Sequence, residues 1–283
     1  MRIWTRPPWP FRLLVHVVVY ATALTMVIPL AWMISTSLKT DQQAISTDIT
    51  FLPDGGPAAW QWLNYAEAWR QAGLGKFYIN SLIVATVVML LSVLHNALAG
   101  FAFAKLRFAG RRLTFTLTIA TMLLPMQVYF IFAYVICGWL GYVDSLQALI
   151  VPFLAGAFGI FYMRQSIAGV PDSLLDAGRI DGFSDFELFT DVILPSIRPA
   201  LGALAIFTFM ASWNNFFWPL IVIDSERHVT LPLAVARLSA GYYVSSWPVQ
   251  MAAATIITVP TILVFLAFQR NFVRGLALTG GKG

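Results

Sequence analysis

Charge is scarce in this sequence. Only 11% of its 283 residues are Asp, Glu, Lys or Arg, 59% are hydrophobic, and mean hydropathy is +0.75. A water-soluble domain carries about 25% charged residues, so a chain this apolar is read as integral to a membrane. Cysteine is nearly absent, and the single Cys137 excludes an internal disulfide and any cysteine-based metal cluster. The three histidines, His16, His95 and His228, stand far apart, and no H-x-x-x-H, C-x-x-C or G-x-S-x-G occurs. Packing or interfacial solvation accounts for each histidine better than proton transfer or metal ligation. The tail Gly280-Gly281-Lys282-Gly283 lacks the G-x-x-x-x-G-K-[ST] pattern of a phosphate-binding loop. No catalytic set assembles. The chain is expected to be no enzyme, to hold no metal or cofactor, and to draw energy from a partner or a gradient. Its net charge of +5 does not call for nucleic acid, because the basic residues flank apolar runs.

Those runs are what the sequence has in abundance. Six are long enough to cross a hydrocarbon core, which needs about 20 helical residues: approximately 13–36, 79–99, 113–136, 146–163, 200–222 and 249–268. None alternates in polarity as a barrel strand would, so the expected fold is an all-α polytopic membrane protein of six transmembrane helices. The first run follows Arg2, Arg6 and Arg12 as a signal peptide would, but it is too long for one and is read as a retained helix. Five runs contain a proline (Pro29, Pro125, Pro152, Pro219 and Pro260), which predicts bent helices.

Thirteen of the eighteen basic residues fall in 1–12, 105–112, 164–198 and after Phe268. The alternate loops hold only Lys39, Arg70, Lys76, Arg227 and Arg237. The positive-inside bias therefore predicts both termini in the cytoplasm, with connections of about forty residues after the first helix, at 137–145 and at 223–248 outside.

One long polar stretch interrupts the apolar runs, Val170 to Pro199, and it holds six of the thirteen acids. It reads as a helix–turn–helix knob on the cytoplasmic side. Asp172 is expected to cap a helix over Ser173–Ile180, and Gly182 permits a turn that a Cβ would hinder. Ser184 and Glu187 have capping-box spacing, with Phe183 and Leu188 at the positions of a hydrophobic staple. Phe186, Phe189 and Ile193 then predict one apolar face.

The knob resembles the EAA loop of permease subunits in ABC importers, roughly E-A-A, three residues, G, nine residues, I-x-L-P. Here Asp176-Ala177-Gly178 stands for E-A-A, Gly182 for the glycine, and Val192-Ile193-Leu194-Pro195 for the end. Asp for Glu, Gly for the second Ala and Val for Ile are departures. The resemblance runs from about Lys39 to the end, with Asn80-Ser81, Trp213-Asn214 and the Arg270…Phe272-Val273-Arg274-Gly275 tail, and is closest to the maltose and glycerol-3-phosphate type of permease. It implies a type I ABC importer transmembrane domain, divided into a first helix and external loop (1–76), a permease core of five spans (77–270) and a cytoplasmic tail (271–283). It further implies a bacterial or archaeal cytoplasmic membrane, a homologous second permease, two ATPase subunits that carry the ATP, an extracytoplasmic solute-binding protein, and a sugar or polyol substrate. By the same resemblance Asp176, Ala177, Gly178, Asp181, Gly182, Phe183, Phe186 and Pro195 would meet the ATPase.

Two further stretches are candidates for contact. Trp213-Asn214-Asn215 opens a run of amides and aromatics ending at Trp218, which suits a sugar in a translocation path and equally an aromatic belt at the lipid interface. Gly241, Tyr242 and Tyr243, in the last expected external loop, suit a protein contact, and the resemblance implies that the partner there is the binding protein. A secondary carrier or channel acting alone is the competing class. Such carriers usually keep an intramembrane acid or inverted repeats, and this chain has no charged residue in the central part of a span.

Overall fold

The computed structural model describes the backbone of residues 8–71, 73–240 and 246–280, with side chains over 8–70, 73–240 and 246–267. Every regular element among them is helical, as a backbone deprived of water requires. Three helices are each long and apolar enough to cross a membrane: α1 (Trp9–Ser37), α2 (Leu74–Lys105) and the Trp247–Ala267 part of the last helix. Three bent pairs complete a set of up to six spans.

Bends were expected from the prolines, and in three of the expected spans the helix is broken outright. Where one run was expected over 113–136, Arg111–Leu123, which begins with α3 (Arg111–Ala120), meets α4 (Met126–Trp139) at 110°. Pro125 has no N–H to continue the ladder and holds Leu124 extended at ψ 129°. The 146–163 run is broken by 41° between Leu146–Phe153 and α5 (Ala157–Ala168), after the turn that contains Pro152. The polar segment continues as α6 (Asp172–Ile180) and the Asp185–Ser196 stretch, which turns by 82° into α7 (Arg198–Trp213). The expected 200–222 span stops at Trp213 and resumes only as α8 (Phe217–Val222). Pro29 and Pro260, by contrast, sit inside continuous helices, the second in α9 (Trp247–Gly280).

The chain divides into two compact units, 1–74 with 237–258 and 75–236 with 259–283. In the first, the connection after α1 is folded. The Asn64 amide donates to the carbonyls of Ser37 and Lys39, at 2.8 and 3.0 Å. Lys39 is buried, with its ammonium 4.5 Å from the Trp32 ring centroid and donating to the Thr50 carbonyl at 2.5 Å.

In the second unit α2 and α5 cross at two glycines. A Cβ on Gly100 would lie 2.6 Å from Met163 Cβ and 2.8 Å from the Arg164 amide nitrogen, while one on Gly159 would overlap the Asn96 amide. Such close approach is the usual purpose of small residues between membrane helices. At the far end of α2, the Asn80 amide donates to the carbonyls of Arg227 and Val229, both at 2.9 Å, and Ser81 Oγ accepts from the Leu231 amide at 2.7 Å. Asn80 therefore anchors a loop.

Candidate functional site

The knob is assembled by local rules first. Gly182 turns at φ +88° with nothing within 4 Å of its would-be Cβ. Ser184 Oγ accepts from the Glu187 amide (3.3 Å) while the Glu187 carboxylate accepts from the Ser184 amide (2.7 Å), completing the expected capping box. The Ser184 hydroxyl and backbone bonds also hold the Glu187 carboxyl below the usual range. Leu188 and Phe183 both close over Gly178. A Cβ there would lie 2.6 Å from Leu188 Cδ2 and 3.4 Å from Phe183 Cδ2, so glycine in place of the second alanine leaves room for a fully buried leucine.

Two expectations for the knob are corrected. Asp172 does not cap α6. Pro171 occupies the N-cap without a side-chain bond, and Asp172 lies in the first turn. Its Oδ1 instead accepts from Lys105 Nζ at 2.5 Å, and the same ammonium donates to the Val170 carbonyl at 2.6 Å. The anion at a helix start and the cation in the last turn of α2 each suit their helix dipole. Second, Phe186 does not share the apolar face of Phe189 and Ile193, and Leu188 takes its place. Residues Leu188–Ile193 form a π-turn, whose wider winding shifts the phase. Leu188, Phe189 and Ile193 are buried, and Phe186 is 69% exposed.

The buried side of the knob packs on three spans. Leu175, Leu188, Phe189 and Ile193 share one cluster with Ala97 and Phe101 of α2, Met163 and Ile167 of α5, and Ala200 and Leu204 of α7. The Phe101 and Phe189 rings lie 5.5 Å apart. Each large side chain that leaves water here contributes about 1.5–3 kcal/mol. The other side is open. Ala177, Asp181 and Pro195 are exposed, as are Phe183, Phe186 and Ile180, the last at 86%. Ile180 was missed in the sequence, although the helical period sets it off the Leu175–Gly178 face. Asp176 is paired with Arg179 at 3.3 Å, and both side chains are largely exposed.

The Lys105 hydrogen bond and charge together hold the Asp172 carboxyl below its ordinary 3.8. A depressed carboxyl contributes stability above its unfolded pKa and loses it as pH falls through the folded one. Amide exchange at the start of α6, corrected for intrinsic rates, should stay flat from pH 7 to about 4 and rise only below that. Asp172→Asn should show the raised exchange already at pH 7.

A cavity of about 670 Å³ lies within the second unit, between α2, the 153–159 break and the end of α7. Small-molecule pockets run about 300–1,000 Å³. Its wall is mostly apolar, with Ser92, Asn96, Thr208, Ser212, Asn214 and Asn215 as the polar side chains. Asn214 and Asn215 thus line a cavity at the helix break. The Asn214 amide donates to the Met210 carbonyl (2.9 Å), and Asn215 Oδ1 accepts from the Trp218 amide (3.3 Å). Trp213 does not join them. It is buried beside Phe209, ring centroids 5.8 Å apart, and edge-on to Tyr78 at 5.4 Å. Gly241, Tyr242 and Tyr243 lie outside the described residues. Among the described residues no group of three or more His, Cys, Asp or Glu side chains is placed to hold a metal ion.

Residues 96–278, from Asn96 on α2 through the knob, match the family described as binding-protein-dependent transport system inner membrane component. The chain belongs to that family. As a binding-protein-dependent transport component it is a membrane permease subunit and not an enzyme. It is 32% identical over 262 residues to the arabinooligosaccharides transport system permease protein AraQ of Halalkalibacterium halodurans, covering 92% of this chain and 93% of that one. It is 32% identical over 254 residues to the lactose transport system permease protein LacG of Rhizobium radiobacter, covering 90% of each. Its fold is that of a chain in the crystal structure of a bacterial ABC transporter involved in the import of the acidic polysaccharide alginate, with TM-score 0.81 and 21% identity over 96% of this chain and 100% of that one. The type I permease fold expected from the EAA-like stretch is thus borne out, with the bent spans as the difference in detail.

Proposed function

We propose that this permease subunit serves an ATP-driven importer of a sugar or related polyol. It would form the translocation path with a homologous second permease, couple to two ATPase subunits that bind the ATP, and receive its solute from an extracytoplasmic solute-binding protein. The relatives are named for arabinooligosaccharides, lactose, diacetylchitobiose and sn-glycerol-3-phosphate, all polyhydroxylated solutes. The observation that carries the coupling part is the two-sidedness of the knob. Its tip offers exposed Ile180, Phe183 and Phe186 amid acids, while its base is packed into three spans. In this reading the tip seats on an ATPase subunit, and ATP shifts the permease by favouring the state whose ATPase pair binds it better. The base then passes the movement to α2, α5 and α7, against which it packs. The segment with Gly241, Tyr242 and Tyr243 meets the binding protein, and Asn214 and Asn215 face the path.

Proteoliposomes holding the two permeases and the ATPase test this. Uptake should require both ATP and the binding protein, and uptake driven by an ion gradient without ATP would overturn it. Orientation has its own check. A reporter active only outside the cell should work when fused at Gly56 or Ser225 and fail at Gly110 or Ser184, from the thirteen-to-five distribution of basic residues. Activity at Gly110 would invert the assignment and take the knob away from the ATPase.

A further inference from the structure

We propose that Asn96 is a state-dependent contact for a solute hydroxyl, exposed when the α2–α5 crossing loosens. The inference rests on the polyhydroxylated-solute reading above and adds a site within this chain. Asn96 borders the cavity but is only 1% exposed. Its Nδ2 donates to Ser92 Oγ at 2.9 Å, and its Oδ1 is buried with no hydrogen-bond partner. A buried acceptor left unmade is destabilising, and most such groups in folded proteins are satisfied. Leucine or alanine here would avoid that cost, so the amide calls for a role in another state.

The neighbourhood says what opens it. Gly159 of α5 presses on the Asn96 amide so closely that a Cβ would overlap it. The same helix carries Met163 and Ile167, which are packed into the base of the knob. A movement of the knob therefore pulls on the helix that shuts Asn96 away. Once α5 shifts, Oδ1 gains access to a cavity already carrying Ser212, Asn214 and Asn215 across from α2. A carbonyl oxygen accepts from a hydroxyl, and a polyol supplies hydroxyls on every face. Asn96 would hold the solute only after the coupling element has moved, which is where a transporter gains from a contact that distinguishes two states.

The test uses the whole importer in proteoliposomes with its binding protein, and four probes: arabinotriose, lactose, diacetylchitobiose and sn-glycerol 3-phosphate. If wild-type protein takes up none of them, its solute is not of the kind for which the relatives are named, and this inference, which rests on that likeness, falls. For a probe that is taken up, Asn96→Leu should lower the amount moved per ATP hydrolysed about tenfold, with ATPase rate and assembly unchanged. Asn96→Asp, which keeps an acceptor in the same place, should retain most of the uptake. Wild-type uptake by Asn96→Leu would overturn the proposal while leaving the importer reading intact. Parallel loss of ATPase activity and uptake in both variants would also overturn it, because that marks a packing role. If neither variant accumulates, wild-type protein is assayed with monodeoxyfluoro analogues of the accepted probe, since fluorine cannot donate. One analogue slowed about tenfold supports the contact, and equal rates for all of them overturn it.

Discussion

Gly182→Val should abolish uptake while leaving the protein in the membrane at normal abundance. Gly182 sits at φ +88° with open space where a Cβ would go, so the damage comes from the backbone alone. A β-branched residue held in that region costs about 1–3 kcal/mol, and relief comes by opening the turn between α6 and the capping box. The buried cluster at the base of the knob would survive, since Leu175 and Leu188 do not touch the turn's outer side. Gly182→Asn is the control, because asparagine tolerates positive φ better than other non-glycine residues, and it should keep most of the uptake. Asp176→Lys reaches the same endpoint through charge. It replaces the partner of Arg179 with a second cation on an exposed surface. Its effect on folding should stay within about 0.5 kcal/mol, while the acidic tip that the proposed docking presents to the ATPase loses one charge and gains the opposite one. Both variants should yield an ATPase that washes off the membrane or hydrolyses ATP without moving solute. Co-purification followed by vesicle uptake reads this out. Wild-type uptake with Gly182→Val would mean that the knob is not the coupling element.

What the sequence made legible in the knob was what short-range chemistry decides. Ser184 and Glu187 are three residues apart, and both bonds of their capping box formed. Glycine at 182 announced a turn and took a positive φ. The rest depended on partners far along the chain. Asp172 had two uses open to it, cap or ion pair, and only the arrival of Lys105, 67 residues earlier, decided for the pair. The π-turn at Leu188–Ile193 has no signature in a periodic apolar pattern, so Phe186 was placed on the wrong face. The same holds for the spans. Hydropathy finds runs of spanning length, because lipid demands it, but it does not say which proline breaks a helix. Pro125 sits at a 110° bend and Pro29 inside a continuous helix. In the cavity, the Asn214-Asn215 pair was visible as polar residues where lipid should be. Trp213 packs against Phe209 and Tyr78 instead, because an aromatic next to an amide says nothing about which way either points.

Gly100→Leu should deplete the folded protein, unlike either knob variant. An added Cβ would meet Met163 Cβ at 2.6 Å and the Arg164 amide nitrogen at 2.8 Å, and a backbone atom of a packed helix has no rotamer by which to yield. The helices must separate. Separation strips Ala97 and Phe101 from Met163 and Ile167, the seam by which the knob is held to the membrane part. Overpacking costs about 1–3 kcal/mol where the neighbour can adjust, and backbone against backbone should fall at or beyond the upper end. Even Gly100→Ala should lower the melting temperature. Gly138→Ala, near the end of α4, is the comparison, because nothing lies within 4 Å of a Cβ there, and it should leave yield and melting temperature unchanged. Detergent-solubilised yield and thermal unfolding of the purified protein measure both. Gly159→Ala should fall between them, since its obstacle is the end of the Asn96 side chain, which has rotamers to move into, and its loss should appear in transport before it appears in yield. Equal yield and melting temperature for Gly100→Leu and wild type would mean that α2 and α5 do not approach this closely in the membrane.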